Sequence, residues 1–171
     1  MAHTADQPTT RRDFLYIATA AFGAVGAAAA VWPLIDQMNP DKSVLALSST
    51  EVNISAVPPG QQIVVKWRGK PVFILHRTPE QIAAVEKEDW RNLRDPQPDA
   101  ERVKRQQWLV IIGICTHLGC VPNRESDGSG WLCPCHGSVY DNSGRRTAGP
   151  APLNMAVPPY KFESDTTVLI G

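Results

Sequence analysis

Two short runs, CTHLGC at 115–120 and CPCHGS at 133–138, contain all four cysteines of the chain and one histidine each. Cysteines that cluster in this way do not form the spaced framework of a small disulfide-rich protein. Cysteine and histidine at short spacing are instead typical of a metal site. The two runs therefore predict a metal centre.

The two runs offer more metal ligands than a single zinc ion can use. Six side chains are available, namely Cys115, His117, Cys120, Cys133, Cys135 and His136. A tetrahedral zinc site takes four ligands and leaves two unexplained. A division into one C-x-H pair and one C-x-x-H pair instead uses one cysteine and one histidine from each run, and leaves Cys120 and Cys135 for another role. From the spacing alone, both kinds of centre remain open.

An uncharged apolar run at 14–35 predicts a membrane anchor. A helix of this length would span roughly 33 Å, and the hydrocarbon core of a bilayer is about 30 Å thick. Tyr16 and Trp32 lie near its two ends, where amphipathic rings prefer the membrane interface. A cleaved signal peptide is the alternative because AAAA offers small-residue cleavage sites, but the run is longer than the usual apolar core of about 7–15 residues.

Arg11 and Arg12 stand just before this run, in TTRRDFL, and resemble a twin-arginine export signal. The alternative is that they only hold the N-terminus in the cytoplasm through the positive-inside rule. Both interpretations place residues 1–13 in the cytoplasm and the chain after the anchor outside it. The twin-arginine route exports folded proteins, so a cofactor can be inserted before export.

The rest of the chain is expected to form a β-rich domain on a tether. Fifteen prolines and twelve glycines favour many short turns. The polar segment 36–50 is interpreted as a flexible tether that leads into a first strand near Val44–Leu47. The runs QQIVVKWR and PVFILHR predict a hairpin that turns at Gly69–Lys70, and YKFESDTTVLIG predicts a closing hairpin that turns at Ser164–Asp165.

Between these hairpins, TPEQIAAVEKE predicts a short helix at about 79–88, with Thr78 as N-cap and Gln81 completing a capping box. The charged, proline-containing stretch after it is interpreted as a solvated excursion without a chemical role. QWLVIIGIC predicts a buried strand that ends at Cys115. Because Lys plus Arg and Asp plus Glu number 17 each, no nucleic-acid partner is expected.

The two cysteine runs resemble those of the Rieske iron–sulfur proteins, and in particular the Rieske subunit of quinol-oxidising cytochrome bc complexes. The resemblance extends to GSVYD at 137–141, GPAP at 149–152, the twin-arginine anchor and the overall length. It implies a mainly β fold, in which a single N-terminal transmembrane helix precedes an all-β Rieske domain at 51–171. That domain would have antiparallel sheets, a small cluster-binding subdomain at about 113–153 and one short helix–loop insertion.

The resemblance also implies one [2Fe–2S] cluster of Rieske type, with one iron bound by two cysteines and the other by two histidines. On this sequence the ligands would be Cys115 and Cys133 for one iron, and His117 and His136 for the other. A disulfide between Cys120 and Cys135 would join the two cluster loops.

By the same resemblance, the hydroxyls of Ser138 and Tyr140 donate to a bridging sulfide and to the Cys115 sulfur, which favours the reduced cluster. Four further site residues follow from the resemblance. Leu118 and Gly119, at the tip of the first loop, would form an apolar docking surface. Gly149 and Pro150 lie in a rigid loop that would cover the cluster.

The function that this resemblance implies is electron transfer within a ubiquinol–cytochrome c reductase. The chain would accept an electron and a proton from ubiquinol at cytochrome b, with His117 or His136 as the proton acceptor, and pass the electron to a c-type cytochrome. It would be a single-pass protein of the bacterial inner membrane with a periplasmic head, inactive alone and part of a dimeric complex. The alternatives are a plastoquinol-oxidising relative, a Rieske ferredoxin or oxygenase component, and a periplasmic module stabilised by zinc or disulfides.

Overall fold

The chain divides into two units, Met1–Leu45 and Ala46–Gly171, which are described in turn. A computed structural model describes residues 10–40 and 48–171 of them. The predicted strand near Val44–Leu47 lies outside the described residues, as does the middle of the predicted tether.

One long helix, α1 (Arg11–Asp36), forms the described part of the N-terminal unit. It begins at a capping box, in which the Thr10 hydroxyl accepts from the Asp13 N–H and the Asp13 carboxylate accepts from the Thr10 N–H. The two arginines therefore lie in its first turn. Within α1 no side chain is buried. By its length and composition, it is the one helix among the described residues that is suited to cross a membrane.

Three antiparallel sheets make up the head. Its described part contains ten strands: β1 (Thr50–Asn53), β2 (Gln62–Trp67), β3 (Lys70–His76), β4 (Trp108–Ile112), β5 (Asn123–Arg124), β6 (Gly130–Leu132), β7 (Val139–Asp141), β8 (Arg146–Ala148), β9 (Tyr160–Phe162) and β10 (Thr167–Ile170). The sheet orders are β1–β10–β9, β2–β3–β4 and β5–β6–β7–β8. The predicted architecture, a mainly β domain that follows an N-terminal helix, is confirmed.

The central strand β3 serves two cores. Val72 and Ile74 pack into a core shared with the β1–β10–β9 sheet, whereas Phe73 and Leu75 pack into a second core on the opposite face. Successive side chains of a strand point to opposite faces, so a continuous apolar run fills both cores. The second core also includes three side chains of the candidate site: Cys115, Cys133 and Tyr140.

The β2–β3 hairpin turns one residue earlier than predicted. Trp67 pairs with Lys70, so the two turn residues are Arg68 and Gly69, with φ of 48° and 78°. Two-residue hairpin turns with positive φ at both positions match the twist of the flanking strands. The prediction of a turn at Gly69–Lys70 was therefore wrong by one residue.

Strand β4 also ends earlier than predicted, at Ile112 rather than at Cys115. The Ile112 N–H donates to the Ala156 carbonyl over 2.7 Å, outside the sheet, while the Gly113 N–H still donates to the Pro71 carbonyl of β3 over 2.8 Å. Gly113 permits this path, because a Cβ there would lie 2.3 Å from the Phe73 ring. The residues that follow begin the first cysteine loop.

The predicted short helix is confirmed as α2 (Pro79–Lys87), with the capping box of Thr78 and Gln81. The stretch after it, 88–107, is mostly exposed or half-buried, as we expected of a solvated excursion of loop and helix. It contains 3₁₀ turns at Trp90–Asn92 and Asp99–Glu101, and hydrogen bonds also fasten it to the loops after β7 and β8.

Buried arginines fasten this stretch to those loops. Arg77 and Arg102 are 2% and 3% exposed. The Arg77 guanidinium pairs with Asp99 at 2.7 Å, and the Arg102 guanidinium donates to the carbonyls of Ser143 and Met155. A buried guanidinium is costly unless acceptors surround it, so these contacts favour one arrangement of the stretch.

Candidate metal centre

The first predicted ligand loop is closed by two backbone hydrogen bonds. The Cys115 N–H donates to the Cys120 carbonyl over 2.8 Å, and the Gly119 N–H donates back to the Cys115 carbonyl over 3.0 Å. Gly119 has a φ of 83°, a conformation that glycine adopts at little cost. These bonds turn the chain sharply around Cys115.

The second loop repeats this geometry. The Cys133 N–H donates to the Ser138 carbonyl over 2.8 Å, and the Gly137 N–H donates to the Cys133 carbonyl over 3.0 Å. Gly137 has a φ of 73°. Each loop therefore starts at a cysteine and turns at a glycine four residues later, so the two loops present their first cysteines in equivalent positions.

Cys115 and Cys133 are buried, with 2% and 1% exposure, and neither takes part in a disulfide. Burial raises the pKa of the Cys115 thiol, but hydrogen bonds, above all from the Tyr140 hydroxyl, outweigh burial and bring the pKa below its ordinary value. At Cys133 burial dominates and the pKa is raised. Because the thiolate is the form that binds metal, the bond from the Tyr140 hydroxyl favours the metal-binding form of Cys115.

The rings of His117 and His136 meet edge to face, with centroids 4.6 Å apart. His117 is half-buried and its buried Nδ1 has no hydrogen-bond partner, whereas His136 is exposed. A buried polar atom without a partner requires an explanation, and metal ligation provides one. Two buried sulfurs and two adjacent imidazoles, all carried by the same two loops, fit a cluster that takes two ligands of each kind.

A disulfide joins Cys120 to Cys135, with an S–S distance of 2.06 Å and Cα atoms 6.6 Å apart. The Cys133 sulfur lies within 4.8 Å of both disulfide sulfurs. These three sulfurs do not form a metal site of their own, because two of them are bonded to each other and are not thiolates. The bridge instead holds the end of the first loop against the middle of the second.

Two buried hydroxyl groups adjoin the cysteines. The Tyr140 hydroxyl donates to Cys115 Sγ over 3.2 Å and accepts from the Thr116 N–H over 3.2 Å. Burial, followed by the contact with Cys115, raises the pKa of Tyr140 to about 12, so the phenol remains a donor at neutral pH. The Ser138 oxygen accepts from the Ala151 N–H over 3.1 Å, which leaves the hydroxyl hydrogen available to donate.

The loop at 149–152 lies directly on the second cysteine loop. A Cβ at Gly149 would lie 2.5 Å from the Gly137 oxygen and from the Ser138 Cα, and Gly149 has a φ of 89°. Only glycine fits this approach without strain. Pro150 follows and restricts the backbone further, which gives the covering loop a fixed shape.

The tip of the first loop is apolar and exposed. Leu118 is 70% exposed, and Val121, which follows Cys120, is 49% exposed. Leu153 is 56% exposed, and its carbonyl accepts from the Thr116 hydroxyl over 2.6 Å. Sequence reasoning missed Thr116, Val121 and Leu153. For Thr116, the one signal in the sequence was its position as a small polar residue between the predicted ligands Cys115 and His117.

Comparisons with known proteins agree with this geometry. A family model described as "Rieske [2Fe-2S] domain" matches residues 49–161. A second, described as "Ubiquitinol-cytochrome C reductase Fe-S subunit TAT signal", matches residues 1–41. The predicted family, the twin-arginine signal and the cofactor are thereby confirmed.

The relatives cover almost all of the chain. The "Ubiquinol-cytochrome c reductase iron-sulfur subunit" of Rhodospirillum rubrum is 57% identical over 99% of this chain and 97% of its own length. That of Bradyrhizobium diazoefficiens is 56% identical over 99% of this chain and 98% of its own. A solved structure described as "Hyperthermophilic respiratory Complex III" matches with 29% identity and a TM-score of 0.56, over 89% of this chain and 98% of that chain. The chain therefore belongs to the Rieske [2Fe–2S] family and carries one cluster of that type.

Proposed function

We propose that this chain is the electron-carrying subunit of a bacterial ubiquinol–cytochrome c reductase. It accepts an electron and a proton from ubiquinol at cytochrome b and passes the electron to the c-type cytochrome of the same complex. The observation that carries the proposal is the pairing of His117, whose buried Nδ1 has no partner, with the exposed His136. The names and full coverage of the relatives support it.

The proposed ligands are Cys115 and Cys133 for one iron, and His117 and His136 for the other. A [2Fe–2S] cluster bound there supplies one-electron transfer, at a potential raised by the two histidine ligands. The sulfur ligands lie in the core, whereas the imidazoles are half-buried and exposed. The protein therefore insulates one side of the site and leaves the other side accessible to a partner.

The histidines have a second proposed role towards the quinol. One of them accepts a hydrogen bond, and then the proton, from a quinol hydroxyl at a ring nitrogen that does not bind iron. The exposed Leu118 and Gly119 at the loop tip supply an apolar surface for docking on cytochrome b. Two cavities of about 320 and 310 Å³ in the described head lie beside Val85 and Trp90 and beside Lys66 and Arg68, and neither is lined by His117 or His136. We propose that the chain is inactive alone.

The proposed placement in the membrane follows from α1. Residues 14–35 form a single anchor in the inner membrane, with residues 1–13 in the cytoplasm. The head at 51–171, with its cluster-binding subdomain at about 113–153, lies in the periplasm. The match of residues 1–41 to a twin-arginine signal model supports this direction of insertion.

Segment 36–50 is proposed as the tether on which the head moves between cytochrome b and the c-type cytochrome of a dimeric complex. Replacing several tether residues with prolines is expected to slow turnover and leave the spectrum of the cluster intact. The same positions replaced with alanine provide the matched control. Equal turnover in the proline and alanine variants would contradict a moving head.

The main experiment deletes the gene for this chain and restores it from a plasmid. The purified complex should then contain non-haem iron and acid-labile sulfide in [2Fe–2S] stoichiometry, show the electron paramagnetic resonance (EPR) signal of a reduced cluster and reduce cytochrome c with ubiquinol. Faster turnover with plastoquinol than with ubiquinol would favour the plastoquinol-oxidising alternative. A complex that lacks non-haem iron, or deletion membranes that still reduce cytochrome c with ubiquinol at the full rate, would contradict the proposal.

Histidine variants provide a matched set for the ligand assignment. His117→Ala and His136→Ala are expected to abolish the EPR signal. His76→Ala is the control, because His76 is also half-buried but its Nδ1 bonds the Val57 carbonyl at 2.7 Å, outside the site. A retained signal in either ligand variant would show that the assignment is wrong.

A further inference from the structure

Asn154 joins three segments of the head through hydrogen bonds. It is 5% exposed. Its Nδ2 donates to the Asp95 carbonyl over 2.9 Å, and its backbone N–H donates to the Asp95 carboxylate over 2.8 Å. Its Oδ1 accepts from the Arg146 N–H over 2.8 Å. A buried amide with these partners favours one orientation, and it ties the charged stretch after α2 to the start of β8.

The residue before it contacts the first cysteine loop. The Thr116 hydroxyl donates to the Leu153 carbonyl over 2.6 Å and accepts from the Leu153 N–H over 3.3 Å. Thr116 lies between Cys115 and His117, and its own N–H donates to the Tyr140 hydroxyl over 3.2 Å. Hydrogen bonds and the peptide bond between Leu153 and Asn154 therefore connect Asp95, outside the cluster loops, to the tyrosine that donates to Cys115.

We propose that Asn154 is a positioning residue for the cluster. Held by Asp95, it places Leu153 so that Thr116 is bonded on both sides, and this fixes the first loop relative to Tyr140. The inference rests on the proposed ligand set, in which Cys115 binds iron. Without Asn154, the Tyr140 bond to the Cys115 sulfur is less well aligned, and the reduced cluster loses stabilisation.

The test compares variants of the holoprotein within its complex. Asn154→Ala and Asp95→Ala should both lower the reduction potential and change the EPR line shape. Asp95→Ala should have the smaller effect because its backbone carbonyl still accepts from Asn154. Thr116→Val should lower the potential too, and the Asn154→Ala/Thr116→Val double variant should show less than the sum of the two shifts, because both act through the same contact.

Asn142→Ala is the matched control. Asn142 is a buried asparagine with 4% exposure, and its side chain donates to the carbonyls of Gly128 and Ser129 rather than to the covering loop. This variant should unfold at a lower urea concentration and keep the wild-type potential and line shape. An equal shift in the potential of Asn142→Ala would overturn the inference, because the effect would then be one of general stability.

Several further outcomes decide the inference. Wild-type potentials in both Asn154→Ala and Asp95→Ala, or additive shifts in the double variant, would overturn it while the proposed function stands. If Asn154→Ala does not accumulate, the potential of Asp95→Ala decides alone. A wild-type chain without iron would overturn the proposed function and this inference together.

Discussion

The Tyr140 hydroxyl lies 3.2 Å from the Cys115 sulfur, although the two residues are 25 positions apart in the chain. Tyr140 is fully buried and lies on β7, in the β5–β6–β7–β8 sheet, from which its hydroxyl reaches the first cysteine loop. A hydrogen bond to a ligand sulfur strengthens as that sulfur gains negative charge. With Cys115 as an iron ligand, as proposed, the bond favours the reduced form of the cluster.

Tyr140→Phe should lower the reduction potential without loss of the cluster. If the lost bond differs by roughly 1.5 kcal/mol between the two oxidation states, the shift is about 65 mV for a one-electron couple. A redox titration followed by EPR measures it. Tyr160→Phe is the control, because Tyr160 is a buried tyrosine whose hydroxyl accepts from the Lys104 N–H, away from the cysteines. Equal potentials in Tyr140→Phe and wild type would show that the bond is equally strong in the oxidised and the reduced cluster.

Ser138→Ala should lower the potential by a similar amount. The Ser138 oxygen already accepts from Ala151, so its hydrogen is available to a sulfur of the cluster, as proposed. The matched control is Ser143→Ala, since Ser143 is also fully buried but donates to the Asp99 carboxylate. A shift in Ser143→Ala as large as that in Ser138→Ala would mean that the potential responds to packing rather than to this donor.

The positions of the two cysteine loops could be predicted from the sequence because the signals that mark them lie in neighbouring residues. Each loop has a cysteine and, four residues later, a glycine with positive φ, and these are visible as CTHLGC and CPCHGS. The capping box at Thr78 and Gln81 is equally local. Such signals need no knowledge of the distant parts of the chain.

The contacts between distant segments could not be predicted. Arg77 and Asp99 read as ordinary surface charges, because arginine and aspartate are rarely buried unless they are paired. Nothing in the pattern shows that they meet at 2.7 Å, or that Asp95 finds Asn154. For this reason the sequence did not show that the stretch after α2 is fastened to the rest of the head: these partners lie 22 and 59 positions apart in the chain.

The potential should depend on pH if His117 or His136 takes up a proton with the electron. Reduction then binds a proton, so the potential should fall as the pH rises through the alkaline range, by up to about 59 mV per pH unit for one proton per electron. A redox titration at several pH values measures the slope. Tyr140→Phe should keep this slope while its potentials are lower at every pH, because Tyr140 is a donor and not the proposed proton carrier. A potential that is constant across the alkaline range would contradict proton uptake by the histidines.

The Cys120–Cys135 disulfide should contribute measurably to the stability of the head. It links residues 15 positions apart, and in the chain-entropy model a loop of this size stabilises the fold by about 3 kcal/mol. Cys120→Ala/Cys135→Ala should therefore unfold at a lower urea concentration, measured by circular dichroism of the holoprotein, and lose the cluster absorbance earlier. A thiol reductant should lower the wild-type midpoint towards that of the double variant and leave the double variant unchanged. If the double variant and the wild type unfold at the same urea concentration, the bridge contributes no stability, and its role is limited to placing the two loops together.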